Sequence, residues 1–166
     1  AKFDRDRTER LHEIELNPNN KIFYHDYHYK ENPIPYIPAA IGIALGRMFE
    51  ASPVWIGWLG RISSLIAYLI IVFIAIRITP ILKSVFFLYA LTPMVLYQGA
   101  SVTYDTLSNA LSFLLVALFL KYAMQTEKMQ TKDFILIIVI AILHRYAKNG
   151  YYFLPFMFLI IPPRVA

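Results

Sequence analysis

The sequence predicts an all-α protein, a polytopic transmembrane helical bundle with a short soluble segment at its N-terminal end. Three observations carry this expectation. Of the 166 residues, 58% are hydrophobic and the mean hydropathy is +0.50, values that place the chain in the membrane class. The apolar residues gather in long runs separated by short charged or proline-bearing breaks. The formal net charge of +5 is scattered in small clusters between those runs, as loop charges of a membrane protein are, and is not concentrated in a nucleic-acid-binding face. There is no cysteine, so neither a disulfide framework nor a thiolate metal site is expected. The chain opens on Ala1 without a signal-peptide pattern and stops on "IIPPRVA". It is read as an excerpt of a longer chain, with spans missing at one or both ends.

Residues 1–32 differ from the remainder. They hold six Lys/Arg, seven Asp/Glu and three of the four histidines, His12, His25 and His28. This segment is expected to be soluble, with a helical turn or two in "DRDRTERLHEIEL" ended by "NPNN". Residues 33–166 are read as the transmembrane region. The aromatic run "FYHDYHYKENPIPYIP" suits a membrane–water boundary, where amphipathic rings settle. Pro33, Pro35 and Pro38 then lead into "AAIGIALGRMFE", a helix too short for the roughly 20 residues a span needs. It is expected either to lie on the surface or to belong to a longer bent element. The spacing of Gly42 and Gly46 suits close contact with another helix.

Five apolar runs follow, at 54–76, 81–100, 105–123, 134–147 and from 151 onward. Pro93 lies in the second and Pro155 in the fifth, and both are read as tolerated within a span. The fourth and fifth are read as a helical hairpin with a tight turn at "KNGYY". On the side where the first span ends, the loops hold Arg77, Lys83, Lys121, Lys128 and Lys132, with Arg164 after the fifth run. Glu127 and Asp133 are the acids there. The positive-inside rule assigns that side to the cytoplasm. A multi-pass protein of the cell membrane is therefore expected, with residues 1–32 and Asp105 on the outer face and the lipid bilayer as a partner.

Asp105 stands at the mouth of the third run. Asp at a helix start accepts bonds from backbone N–H groups and suits the helix dipole. The functional reading places the same carboxylate at the outer rim of a bundle, beside a polar substrate. Arg61 lies about eight residues into the first span. It is either a snorkelling side chain or a cation facing a lipid phosphate or a carboxylate such as Asp105. Arg145 and Lys148 are outer-face cations that oppose the positive-inside trend. They anchor at the interface or bind an anionic headgroup, and Arg47 can join either set. His25 and His28 flank Asp26, but no HExxH pattern and no further ligand set accompanies them. No GxGxxG, P-loop, GxSxG or kinase signature is present.

Several pieces occur in a recognisable order: "NPIPYIPAAIGIALGRMF", "SPVWIGWLGRISSLIAYLIIVFIAIRITP", "LYALTPMVLYQGASVTYDTLSNALSFLLVALFLKY" and "HRYAKNGYYFLP". The series, over about residues 32–160, resembles a family of bacterial membrane proteins of unknown function linked to surface polysaccharide genes. That family in turn resembles the GT-C glycosyltransferases, polytopic enzymes that use polyprenyl-phosphate-linked sugars. The resemblance implies a GT-C-like bundle and transfer of a sugar from a polyprenyl-phosphate donor to a cell-surface glycan or lipid-linked acceptor. It implies Asp105 as the acid of the second outer loop, with Arg61 and Lys148 as matching cations. The acid usual in a first outer loop of GT-C enzymes is not carried over onto Asp4, Asp6 or Asp26. The residue types fit such chemistry, since a carboxylate can deprotonate an acceptor hydroxyl and Arg or Lys stabilises a leaving phosphate. Arg61, Arg145 and Lys148 are the candidates for that phosphate. The cofactor is left open, a divalent metal being compatible with the reaction. A transporter or flippase of lipid-linked glycans and a non-catalytic membrane scaffold are the alternatives. No internal repeat is visible, and the charges sit near the span ends, which argues against transport.

Overall fold

The computed structural model describes residue 9 and residues 32–124, 129–148 and 153–161, and all the regular structure among them is helical. The N-terminal segment, with His12, His25 and His28, lies outside the described residues apart from Glu9, as does the "KNGYY" turn beyond Lys148. A 3-10 turn at Ile34–Tyr36 leads into α1 (Ile37–Met48). Then come α2 (Pro53–Ile78), α3 (Lys83–Ala90), α4 (Pro93–Gly99), α5 (Tyr104–Met124) and α6 (Thr131–Ala147).

Local chemistry sets these boundaries. Pro53 and Pro93 each open a helix, where a missing N–H costs nothing and the fixed φ is already helical. Ser52 and Thr92 before them are extended, the conformation a following proline imposes. Pro80 ends α2 in the same way, leaving Thr79 extended at ψ 130° with its hydroxyl donating to Ile81 O at 2.9 Å. Leu82 then turns the chain in the left-handed region, at φ 59°. α6 begins ahead of its apolar run because the Asp133 carboxylate accepts the Gln130 N–H at 3.2 Å and secures the first turn.

α1 folds back along the N-terminal half of α2. The pairing of Gly46 with Ile56 and of Gly42 with Leu59 and Ser63 makes the two helices antiparallel. A Cβ on Gly42 would run into the Leu59 carbonyl oxygen, so the helices meet backbone to backbone. Ser63 Oγ donates to Pro38 O at 2.6 Å across the same seam. The short helix is therefore one arm of a hairpin, and the contact expected from Gly42 and Gly46 is present.

α5 lies at the centre. Its Ala110, Phe113 and Ala117 pack with Tyr68, Val72 and Ala75 of α2 and with Phe86, Ala90 and Val95 of α3 and α4. Its Leu111, Leu115, Leu118 and Tyr122 pack with Ile137 and Ile140 of α6. The Phe113 ring meets Tyr68 edge-on at 6.4 Å and Phe86 at 5.8 Å.

α2 and α5 are long and apolar enough to cross a membrane. Their 26 and 21 residues correspond to about 39 Å and about 31 Å. Only 28% of the α2 span is buried, so most of its apolar surface faces outward, unlike the core helix of a soluble domain. The other expected spans differ. The run 81–100 is broken into α3 and α4 at Leu91–Thr92, because Pro93 cannot donate to a continuous helix. α6 has 17 residues. In the fifth run, Leu154–Ile160 forms a 3-10 helix in place of an α-helical span.

Candidate functional site at the start of helix α5

The start of α5 is pinned by short-range polar chemistry. Gln98 O, near the end of α4, accepts from Ser101 Oγ at 2.6 Å. Thr106 Oγ1 points between Gln98 O and Ser101 O, at 2.9 and 2.8 Å. Asn109 Nδ2 donates to Gln98 Oε1 at 2.8 Å, tying α5 to α4 one turn deeper. The loop between them is thereby held in one conformation, and it sets the position of Asp105.

The helix begins at Tyr104, so Asp105 stands within the first turn and not at the capping position that the sequence suggests. Its charge still suits the helix dipole. Asp105 Oδ1 accepts from Lys148 Nζ at 2.7 Å across 43 residues of chain. Lys148 sits at the C-terminal cap of α6, and its ammonium also lies 5.1 Å from the centre of the Tyr104 ring. Both side chains are half-buried. Among the described residues Lys148 is the one partner of Asp105, which leaves Oδ2 able to accept from a hydroxyl.

Arg61 does not pair with Asp105, one of the partners the sequence allows it. Its Nε donates to Ala100 O at 3.0 Å, and its guanidinium stands 5.7 Å from the Trp58 ring. Among the described residues no carboxylate pairs with it. Arg61 lines a cavity of about 500 Å³, open to the surroundings, together with Val54, Gly57, Trp58, Tyr97 and Ser101. The cavity lies on the α2 side of the loop that leads into Asp105, and the ion pair lies on the α6 side. Arg145 is exposed on α6, three residues before Lys148, and Arg47 is exposed at the end of α1. The structure thus couples Asp105 with Lys148 and brings Arg61 to the same end of the bundle.

A polar seam runs inward from this end, and sequence reasoning missed it. Ser112 Oγ and His144 Nε2 are 2.9 Å apart between α5 and α6, and Ser112 Oγ also lies 2.8 Å from Ser108 O. His144 is fully buried. The signal was the spacing of Asp105, Ser108 and Ser112, which puts three polar residues on one helical face. Their match with His144 and Lys148, four apart on α6, makes the seam antiparallel. Ser112, Asn109 and Gln98 also border a second cavity of about 340 Å³, otherwise walled by apolar residues such as Phe86 and Phe113. Among the described residues no three His, Asp or Glu side chains gather as a metal-binding group.

The model of one protein family, described as "Predicted membrane protein (DUF2142)", matches residues 7–166. Neither the curated proteins nor the solved structures contain a match.

Proposed function

Given that the chain belongs to this predicted membrane protein family, we propose that its charged rim works at a bilayer surface as a glycosyl-transfer site of GT-C type. The substrate would be a sugar on a polyprenyl phosphate, and the acceptor a cell-surface glycan or lipid-linked glycan. The observation that carries this reading is the Asp105–Lys148 pair, set at the end of apolar helices beside the cavity of Arg61. A carboxylate with one oxygen on a lysine and the other open to a hydroxyl has the form of a general base next to an anion-binding group. Asp105 takes the acceptor hydroxyl proton as the acceptor oxygen bonds to the anomeric carbon. The bond from that carbon to the phosphate oxygen breaks, and polyprenyl phosphate leaves with both bonding electrons. Lys148 and Arg61, with Arg145 nearby on α6, balance the negative charge on the departing phosphate. Positive-inside reasoning puts this rim and the N-terminal segment on the outer face of a multi-pass protein.

The experiment is transfer from a radiolabelled polyprenyl-phosphate sugar by the full-length protein in liposomes. Asp105→Asn is expected to lower product formation by about 10²–10⁴-fold with insertion unchanged. Full activity in that variant would remove Asp105 from the chemistry. One observation favours a second reading, transport of a lipid-linked glycan. The break at Leu91–Thr92 and the inward seam of Ser112 and His144 resemble the discontinuous helices and deep polar groups of transporters. In that case the labelled glycan would cross between leaflets with its phosphate linkage intact.

A further inference from the structure

The rim chemistry makes no use of Ser112 and His144. Their Oγ and Nε2 are 2.9 Å apart across 32 residues of chain, within the reach a base needs to activate a hydroxyl nucleophile. Packing alone does not call for the pair. His144 continues the face of Ile137 and Ile140, where an aliphatic side chain would fill the seam without the cost of burying an imidazole. Ser112 could satisfy its hydroxyl on Ser108 O alone, at 2.8 Å. What sets the pair apart is its place. The serine that touches His144 also borders the cavity of about 340 Å³ between α3, α4 and α5. Asn109, one turn earlier on α5, and Gln98 on α4 border the same cavity. Asn109 Nδ2 gives one of its two hydrogens to Gln98 Oε1 at 2.8 Å. Its second hydrogen and the two on the Gln98 amide have no acceptor among the described residues. A nucleophile, its base and a set of amide donors thus meet at one end of an open space.

The rest of the cavity states what could enter it. Its walls are Val85, Phe86, Tyr89, Val95, Phe113 and Val116, and no charged side chain lines it. An apolar chamber with a few convergent polar groups suits an uncharged ligand with one polar end. Its volume is more than twice the roughly 150 Å³ that takes a benzene ring. We propose that Ser112 and His144 form an acyl-transfer dyad whose substrate is an uncharged acyl ester, its chain in the apolar part and its carbonyl beside Ser112. Ser112 Oγ bonds to the carbonyl carbon as its proton passes to His144 Nε2. The carbonyl electron pair moves onto oxygen, where the Asn109 and Gln98 amide hydrogens can stabilise it. The pair returns, the ester C–O bond breaks, and the alcohol leaves with the proton from His144. Water or a second alcohol then takes the acyl group from Ser112 by the same steps in reverse, giving its proton to His144. Asp105 lies seven positions away, about 10 Å along α5, so this chemistry stands apart from the glycosyl-transfer reading.

Two probes test it on the full-length protein in liposomes. The first is a fluorescent alkyl fluorophosphonate, from which an activated serine displaces fluoride. The second is p-nitrophenyl octanoate, whose hydrolysis is followed by release of nitrophenolate. The wild type is expected to take the label on Ser112, as located by peptide mass, and to hydrolyse the ester. Ser112→Ala should lose both. His144→Gln keeps a hydrogen-bonding side chain beside Ser112 but no base, and should lower both rates by about 10²–10⁴-fold. A hydrogen bond that only joins two helices would give no label in any variant. An unlabelled wild type, or full labelling in His144→Gln, would overturn the proposal. If His144→Gln does not insert, the wild type still decides, since label on a serine other than Ser112 refutes the dyad. Neither readout involves the labelled sugar donor, so failure here leaves glycosyl transfer at Asp105 to its own assay.

Discussion

Adding one methyl group to Gly42 tests the packing on which the rim's hairpin depends. A Cβ there would collide with the Leu59 carbonyl oxygen, and it would stand 2.7 Å from both the Leu59 carbonyl carbon and Ser63 Cβ. Two of these atoms are backbone inside α2, so no rotamer change relieves the clash. The helices must separate, and overpacking of this kind costs about 1–3 kcal/mol. Separation also strains the Ser63–Pro38 hydrogen bond, which contributes about 0.5–1.5 kcal/mol. The better helix propensity of alanine returns about 0.8–1.0 kcal/mol. Gly42→Ala is therefore expected to destabilise by about 0.5–3.7 kcal/mol. Gly57 supplies the control, because nothing lies within 4 Å of a Cβ at that position of the neighbouring helix. Gly57→Ala should be neutral or stabilising by up to about 1 kcal/mol. The assay is unfolding of the full-length protein in mixed micelles of rising SDS fraction, followed by far-ultraviolet circular dichroism. Equal stability of the two variants would refute the backbone contact between α1 and α2.

Two further outcomes bear on the rim. In a double-mutant cycle of Asp105→Asn and Lys148→Gln, the same unfolding assay should return a coupling energy of about 0.5–3 kcal/mol. A value within error of zero would mean that the 2.7 Å contact contributes no stability. For orientation, a cysteine at Asn149 should react with an impermeant thiol reagent applied to intact cells and one at Gln130 should not, the chain having no cysteine of its own. The reverse labelling would place the rim in the cytoplasm.

The two long helices were legible because length and apolarity define them locally. The run 54–76 became Pro53–Ile78, and the run 105–123 became Tyr104–Met124. The run 81–100 was misread because hydropathy does not register a backbone donor missing at Pro93. The extended Thr92 before it then ends α3. The first turn of α6 was polar and so invisible to an apolar pattern, although Asp133 three residues after Gln130 was a readable start signal. At the rim, Asp105, Arg61, Arg145 and Lys148 stood out singly as charges in apolar surroundings. Which of them would touch was not readable, because the Asp105–Lys148 contact is created by the antiparallel return of α6. His144 escaped notice because it reads as one polar residue near the end of an apolar run. Its burial against Ser112 is a property of two helices.

The glycine seam of α1 has a consequence for how the chain is made. With 12 residues, α1 is about 18 Å long and cannot be recognised by an insertion machinery as a span of its own. Yet its Gly42 and Gly46 fit only against the first turns of α2, which is synthesised after it. The docking of α1 therefore depends on α2 being present, and what completes it is van der Waals contact between backbones. A lesion in α2 near Leu59 would therefore strand α1 although α1 itself is unchanged.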